Sequence, residues 1–122
     1  MRTIKFRGKR PDGSWNYGRS IRFKQNGEVY IQGASVDPQT VGQFTGLHDA
    51  NGKDIYEGDI LGTNEKAIGW VKGDVRGYCY DVVYANHPAG EKDWSLYDTV
   101  KHDYSEQIKV VGNIYDNPEL LK

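Results

Sequence analysis

The chain has 122 residues, a formal net charge of −1, 37% hydrophobic and 27% charged residues, 15 Gly and 9 Tyr, which suits a single soluble β-rich domain over 1–122 with a modest core. No apolar run is long enough to span a membrane, and the opening Met1-Arg2-Thr3-Ile4-Lys5 lacks the apolar centre of a leader, so the expected setting is the cytoplasm with no membrane partner. The lone Cys79 excludes an internal disulfide and a cysteine-based zinc site, and no cofactor motif is present.

In chain order, Ile4 to Arg7 alternates as a half-buried strand, with Ile4 and Phe6 on one face and Lys5 and Arg7 on the other. Pro11-Asp12-Gly13 turns the chain. From Trp15 the alternation resumes in a strand over 15–23, with Trp15, Tyr17, Ile21 and Phe23, and Arg19 among them, against Asn16, Ser20, Arg22 and Lys24. Asn26-Gly27 turns it again, and Glu28 to Gln32 forms a third strand with Val29 and Ile31 on one side. Ala34 to Gln39, which contains Pro38, reads as a loop.

Val41 to Leu47 then enters a hairpin that leaves through Asp54 to Leu61, with Asn51-Gly52 as the positive-φ pair of a two-residue turn. Gly58-Asp59 makes a second corner, and the entry into Ile60-Leu61 has the look of an SH3-like barrel strand. The string Asp12-Gly13-Ser14-Trp15-Asn16-Tyr17-Gly18 is echoed at 51–58. Either an internal duplication or a generic turn, strand and Tyr-Gly corner explains it, and the generic pattern is favoured.

Downstream, strands are expected at 67–71, 77–84 (Tyr78, Tyr80, Val82 and Tyr84 sharing a face), 94–100 and 107–114. Asn117-Pro118 opens one helical turn, Asn as cap and Pro at the first position. About eight short antiparallel strands, punctuated by turns, predict an all-β fold, a small barrel or sandwich with a short C-terminal helical turn.

Charge is strongly segregated. Residues 1–24 hold eight basic side chains against Asp12, a net of +7, while the remaining 98 residues carry 8 basic and 16 acidic side chains, a net of −8. If strands 4–7 and 15–23 share a sheet, Lys5, Arg7, Arg22 and Lys24 form an outward basic face able to neutralise phosphates or meet an acidic partner. The competing reading is a solvated sheet face.

Tyr78, Tyr80 and Tyr84 with Trp70, Trp94 and Tyr97 could stack bases, but at strand spacing they read first as core. Asp49, Asn51 and Asp54 resemble the start of a calcium loop, yet Gly52 stands at the fourth position rather than the sixth, so Asp49 and Asp59 are assigned as acceptors of backbone N–H groups and no metal site is expected. His48, His87 and His102 lie in no paired metal motif. His102-Asp103 has no nucleophile to serve, and Cys79 reads as a buried thiol, so no catalytic residue is named.

TVGQFTGLHDANGKDIYEGDIL at 40–61, MRTIKFRGKRPDGSWNYG at 1–18 and VVGNIYDNPELL at 110–121 resemble the YopX family of small phage and prophage proteins. The resemblance marks Gly46, Asp49, Asn51, Gly52, Tyr56, Gly58, Asp59, Gly112, Asn113, Asn117 and Pro118 as motif residues of structural weight. It implies an all-β fold and a mobile-element origin without an established activity. The expected function is a non-enzymatic phage or prophage binding or assembly module that self-associates, with a host or phage protein as a further partner. A nucleic-acid accessory protein using the basic face is the alternative, and an enzyme with a site in 62–106 the second alternative.

Overall fold

Short strands stop where a side-chain oxygen or a glycine turns the chain, and these corners set the architecture. The structure, a computed structural model, describes residues 3–64, 66–73, 80–84, 92–103 and 107–122, with the backbone alone for 92–94 and 102–103. It divides into two compact units, 1–46 and 47–122.

The first unit contains β1 (Phe6–Lys9), β2 (Trp15–Gly18), β3 (Ile21–Phe23), β4 (Val29–Ile31), β5 (Ala34–Val36), a 3₁₀ turn at Pro38–Thr40 and the start of β6 (Gly42–His48). β1 lies between β2 and β6, antiparallel to both, with Arg7 opposite Tyr17 and Gly42. A separate antiparallel sheet runs β3-β4-β5. Val29, Ile31 and Val36 form the buried core, with Phe6, Ile21 and Val41 packed against it. The expected strand over 15–23 is therefore two strands in two sheets, and the expected loop over 34–39 begins with β5. The reason is a tight turn at Gln32-Gly33, both at positive φ (50° and 80°), which folds Ala34 back opposite Ile31.

The second unit contains β7 (Asp54–Tyr56), β8 (Asp59–Gly62), β9 (Ala67–Gly73), β10 (Tyr80–Tyr84), β11 (Lys92–Ser95), a helical turn at Leu96–Asp98 that continues to Asp103, β12 (Lys109–Asn113) and a 3₁₀ turn at Pro118–Leu121. Its five-stranded antiparallel sheet has the order β11-β10-β9-β8-β12, with register shifts at Leu61/Gly62 and Val110/Gly112 that bend the strands. Ile55, Leu61, Val71, Val82, Leu96, Val100 and Ile108 fill its core. The expected strand over 94–100 ends at Ser95. Leu96, Thr99 and Val100 are buried while Tyr97 and Asp98 are exposed, an i, i+3, i+4 pattern that is helical, since a strand would bury Asp98 with Leu96 and Val100.

The all-β, antiparallel expectation with a C-terminal helical turn stands, although twelve strands, not eight, are seen among the described residues. The first part of the expected strand over 77–84 reaches outside them.

Three hairpin loops share one geometry. Arg10 N–H donates to Ser14 O at 2.8 Å, Lys24 N–H to Glu28 O at 2.9 Å and Asp49 N–H to Lys53 O at 2.9 Å, each enclosing three residues. The third enclosed residue is Gly13, Gly27 or Gly52, at φ 88°, 92° and 81°. Asn51-Gly52 is thus no positive-φ pair, because only Gly52 adopts the left-handed conformation. The Asp49 carboxylate explains the difference, since Oδ1 accepts from Asn51 N–H (2.8 Å) and Lys53 N–H (2.9 Å), stabilising a turn followed by a glycine bulge. The same loop recurs at Gln25-Asn26-Gly27, again followed by a strand with a Tyr (Tyr30) and then a Gly (Gly33), which fits a generic turn and strand pattern better than a duplication of 12–18.

Asp49 also ties its loop to β12, with Oδ2 accepting from Val110 N–H at 3.0 Å. Ala50 N–H donates to Ile108 O, and Ile114 N–H to Gly58 O, both at 2.9 Å. Asp59, 1% exposed, accepts from Tyr56 N–H at 2.8 Å. Both acids act as expected, as backbone acceptors. Asn113 Oδ1 accepts from Tyr115 and Asp116 N–H at 3.0 and 2.9 Å. Asn117 occupies the cap position before Pro118, but its Oδ1 accepts from Asn113 N–H at 3.3 Å instead of capping the turn.

Asp49→Asn leaves one oxygen acceptor where two served three N–H groups, and is expected to lower stability by about 2 kcal/mol. Urea unfolding should show the midpoint falling with the slope unchanged.

Candidate functional site

The four basic residues grouped from the sequence do not share one face. Arg7 is buried at 5% exposure, with its guanidinium carbon 4.7 Å from the centre of the Trp15 ring, and Lys9 Nζ is 5.9 Å from the same ring. The β1–β2 register places Lys9 opposite Trp15, so the indole lies along the cations of β1. Lys5 Nζ lies 4.4 Å from the Phe44 ring centre. The basic side of β1 is thus a cation–aromatic layer, not the outward charged face expected for Arg7. On the opposite face Asn16 is buried, donating from Nδ2 to Ile31 O at 2.6 Å and accepting from Arg10 Nη2 at 2.8 Å.

Arg22 and Lys24 remain exposed, as expected, and the structure brings them together on the β3-β4-β5 sheet. With Ser20, Tyr30 and Gly33 they line a pocket of about 320 Å³. Arg22 stands opposite Tyr30 in the β3–β4 register, and Lys24 Nζ sits 4.5 Å from the Tyr30 ring centre. No carboxylate among the described residues forms an ion pair with Arg22.

Two devices hold the pocket. At one end the Gln25-Asn26-Gly27 loop closes β3 onto β4, and Asn26 Oδ1 accepts from Glu28 N–H at 3.0 Å. At the other, Gln32 Oε1 accepts from Arg19 N–H (3.1 Å) and Ser20 N–H (2.9 Å), while Gln32 N–H donates to Ser20 O at 3.0 Å. Gln32 is the only non-glycine residue at positive φ among the described residues, a conformation that costs on the order of 1 kcal/mol. Its side chain fills the space a Cβ at Gly18 would need. The sequence reading missed Ser20, Tyr30, Gln32 and Gly33 as site residues. Tyr30 was detectable, because it alternates with buried Val29 and Ile31 and so faces the same side as Arg22.

Glu28 is bonded to the tyrosine of the pocket. Tyr30 Oη donates to Glu28 Oε2 at 2.7 Å and the Asn26 amide donates to Oε1. These two bonds, and less strongly the charge of Lys24, hold the Glu28 carboxyl below the usual glutamate pKa. The folded state therefore gains from ionised Glu28 above the unfolded-state pKa and loses that gain as pH falls through the lower folded value.

Of the remaining candidates, Tyr84 is buried in the core of the second unit with its hydroxyl 3.0 Å from Thr99 Oγ1, and Tyr80 packs against that core. Trp70 is half-buried and Tyr97 is 55% exposed. His48 Nε2 lies 3.0 Å from Asp54 Oδ1. Tyr78, Cys79 and His87, and the side chains of Trp94, His102 and Asp103, lie outside the described residues. Among the described residues no three metal-ligating side chains converge, and no helix is long and apolar enough to cross a membrane.

Tyr30→Phe removes the first donor to Glu28 and should raise the Glu28 pKa toward its usual value. A carboxyl NMR titration of both proteins reads this directly.

Comparison with curated proteins finds no match. The model of the family described as YopX protein matches residues 2–122, spanning both units and every motif residue named above. The chain belongs to the YopX family.

Proposed function

We propose that this is a non-enzymatic binding module of a phage or prophage, working in the host cytoplasm through the cationic surface of its first unit, with nucleic acid as the partner. The observation that supports it is where the charge lies. Residues 1–46 carry eight basic side chains against Asp12, Glu28 and Asp37, a net of +5, while 47–122 carry eight basic against 14 acidic, a net of −6. Part of that positive charge is set in the sheet as Arg7, Lys5 and Lys9 against aromatic rings. Arg19, Arg22 and Lys24 are exposed, and they are the groups available to phosphates.

Because the other unit is acidic, such binding is local and weak at high salt. Segregated charge also favours self-association, cationic surface to acidic surface between copies, as a second reading.

The test is binding of labelled mixed-sequence single- and double-stranded nucleic acid at about 50 and 200 mM salt. Binding should weaken at least tenfold across that range and disappear in the Arg19→Glu, Arg22→Glu, Lys24→Glu triple variant. Arg7→Glu is no suitable control, since it would bury a carboxylate. No binding at low salt would overturn the nucleic-acid reading, and sedimentation of the same samples reads self-association.

A further inference from the structure

Beyond a general cationic surface, the β3–β4 pocket has the parts of a site for one small unit of ligand. Its volume of about 320 Å³ falls at the lower end of the range for small-molecule sites, roughly 300–1,000 Å³. Arg22 supplies a planar fork of donors that matches two oxygens of a phosphoryl group, and Lys24 supplies a second fixed positive charge. Tyr30 lines the pocket with them, opposite Arg22 in register and beneath Lys24. Its hydroxyl is committed to Glu28, so what it offers a ligand is its ring.

Ser20 has its backbone N–H and C=O fixed by Gln32, which leaves its hydroxyl as a polar group at the pocket wall. The glutamate at the Tyr30 hydroxyl sets a limit. Glu28, one hydrogen bond from the Tyr30 hydroxyl, is a negative charge that repels a chain of several phosphates more than a single one.

We propose that this pocket binds a single nucleotide unit, with Arg22 and Lys24 on its phosphate and the Tyr30 ring against its base. This rests on the binding reading given above and names the recognition element within it. A free nucleoside monophosphate and one nucleotide of a single strand present the same chemistry. Phosphate contacts supply charge, and base–aromatic stacking adds roughly 1–3 kcal/mol per base without demanding a particular sequence. Gln32 acts as a positioning residue, because its clamp on Arg19 and Ser20 fixes the pocket wall next to Gly33.

The test is calorimetric or NMR titration of the full chain with inorganic phosphate, ribose 5-phosphate, adenosine 5′-monophosphate, O-phosphotyrosine and a single-stranded dodecamer. The monophosphate should bind at least tenfold more tightly than ribose 5-phosphate or phosphate. Tyr30→Leu should erase that difference, and Arg22→Ala should weaken every ligand. Both variants must keep the wild-type circular dichroism and melting curve. Should either be misfolded, Tyr30→Phe, which keeps the ring, must retain the preference, and Arg22→Lys must weaken phosphate.

A dodecamer far tighter than the monophosphate would identify a strand as the source, and equal affinities a free nucleotide. Equal binding of O-phosphotyrosine and the monophosphate would overturn the assignment in favour of a phosphorylated peptide. Salt-sensitive dodecamer binding unchanged in Arg22→Ala and Tyr30→Leu would overturn this inference and leave the broader binding reading intact. No binding of any ligand at low salt would remove both.

Discussion

A side-chain oxygen accepting backbone N–H groups at a corner is the constraint on which this structure depends. Most of its strands have only three to five residues, so each ladder contributes few hydrogen bonds, and a strand this short holds its register only if the turn beside it is fixed. Asp12, Asn26, Asp49, Asp59 and Asn113 each accept backbone N–H groups at such a corner. They are not equal in weight. Asp49 is buried and serves three N–H groups, one of them in β12, whereas Asp12 is exposed and local. Burial makes each of the Asp49 bonds stronger and its loss costlier. The parts of those motifs that fall in the second unit, 47–61 and 110–121, are therefore tied together, by Asp49 to Val110 and by Gly58 to Ile114.

The same physics shapes the candidate site. An asparagine–glycine loop closes one end of the β3–β4 hairpin, and a glutamine in the left-handed conformation clamps the other. Between them Arg22 stands opposite Tyr30 in register, and Lys24 lies over the Tyr30 ring. Elsewhere in the first unit the positive charge is spent differently. Arg7, Lys9 and Lys5 lie on Trp15 and Phe44, where attraction to the ring faces and burial of their stems stabilise the sheet.

Much of this was legible in the residues. Asp49 and Asp59 were readable as backbone acceptors from their place beside turn glycines, and Val29 and Ile31 as core from alternation. The break between β2 and β3 was not, because Trp15, Tyr17, Ile21 and Phe23 keep one parity straight through it. It depends on Gln32, a residue with no turn preference, whose side chain occupies the space above Gly18. Alternation placed Arg7 on the opposite face from Phe6, but it cannot say what covers that face, and here it is Trp15. The helical turn after Ser95 did leave a signal: a strand reading of 94–100 puts the charged Asp98 on the same face as Leu96 and Val100, whereas a helix turns it outward. Alternation put Arg22 and Lys24 on one face; Tyr30, which lines the pocket with them, becomes visible once its strand is laid against theirs.

The central claim is that the working surface of this YopX-family chain lies on the β3–β4 hairpin. Amide chemical-shift mapping with a short single-stranded oligonucleotide tests it most directly. The account predicts saturable shifts concentrated between Ser20 and Gly33, with residues 47–122 little affected. Shifts centred in 47–122, or none at low salt, would contradict it.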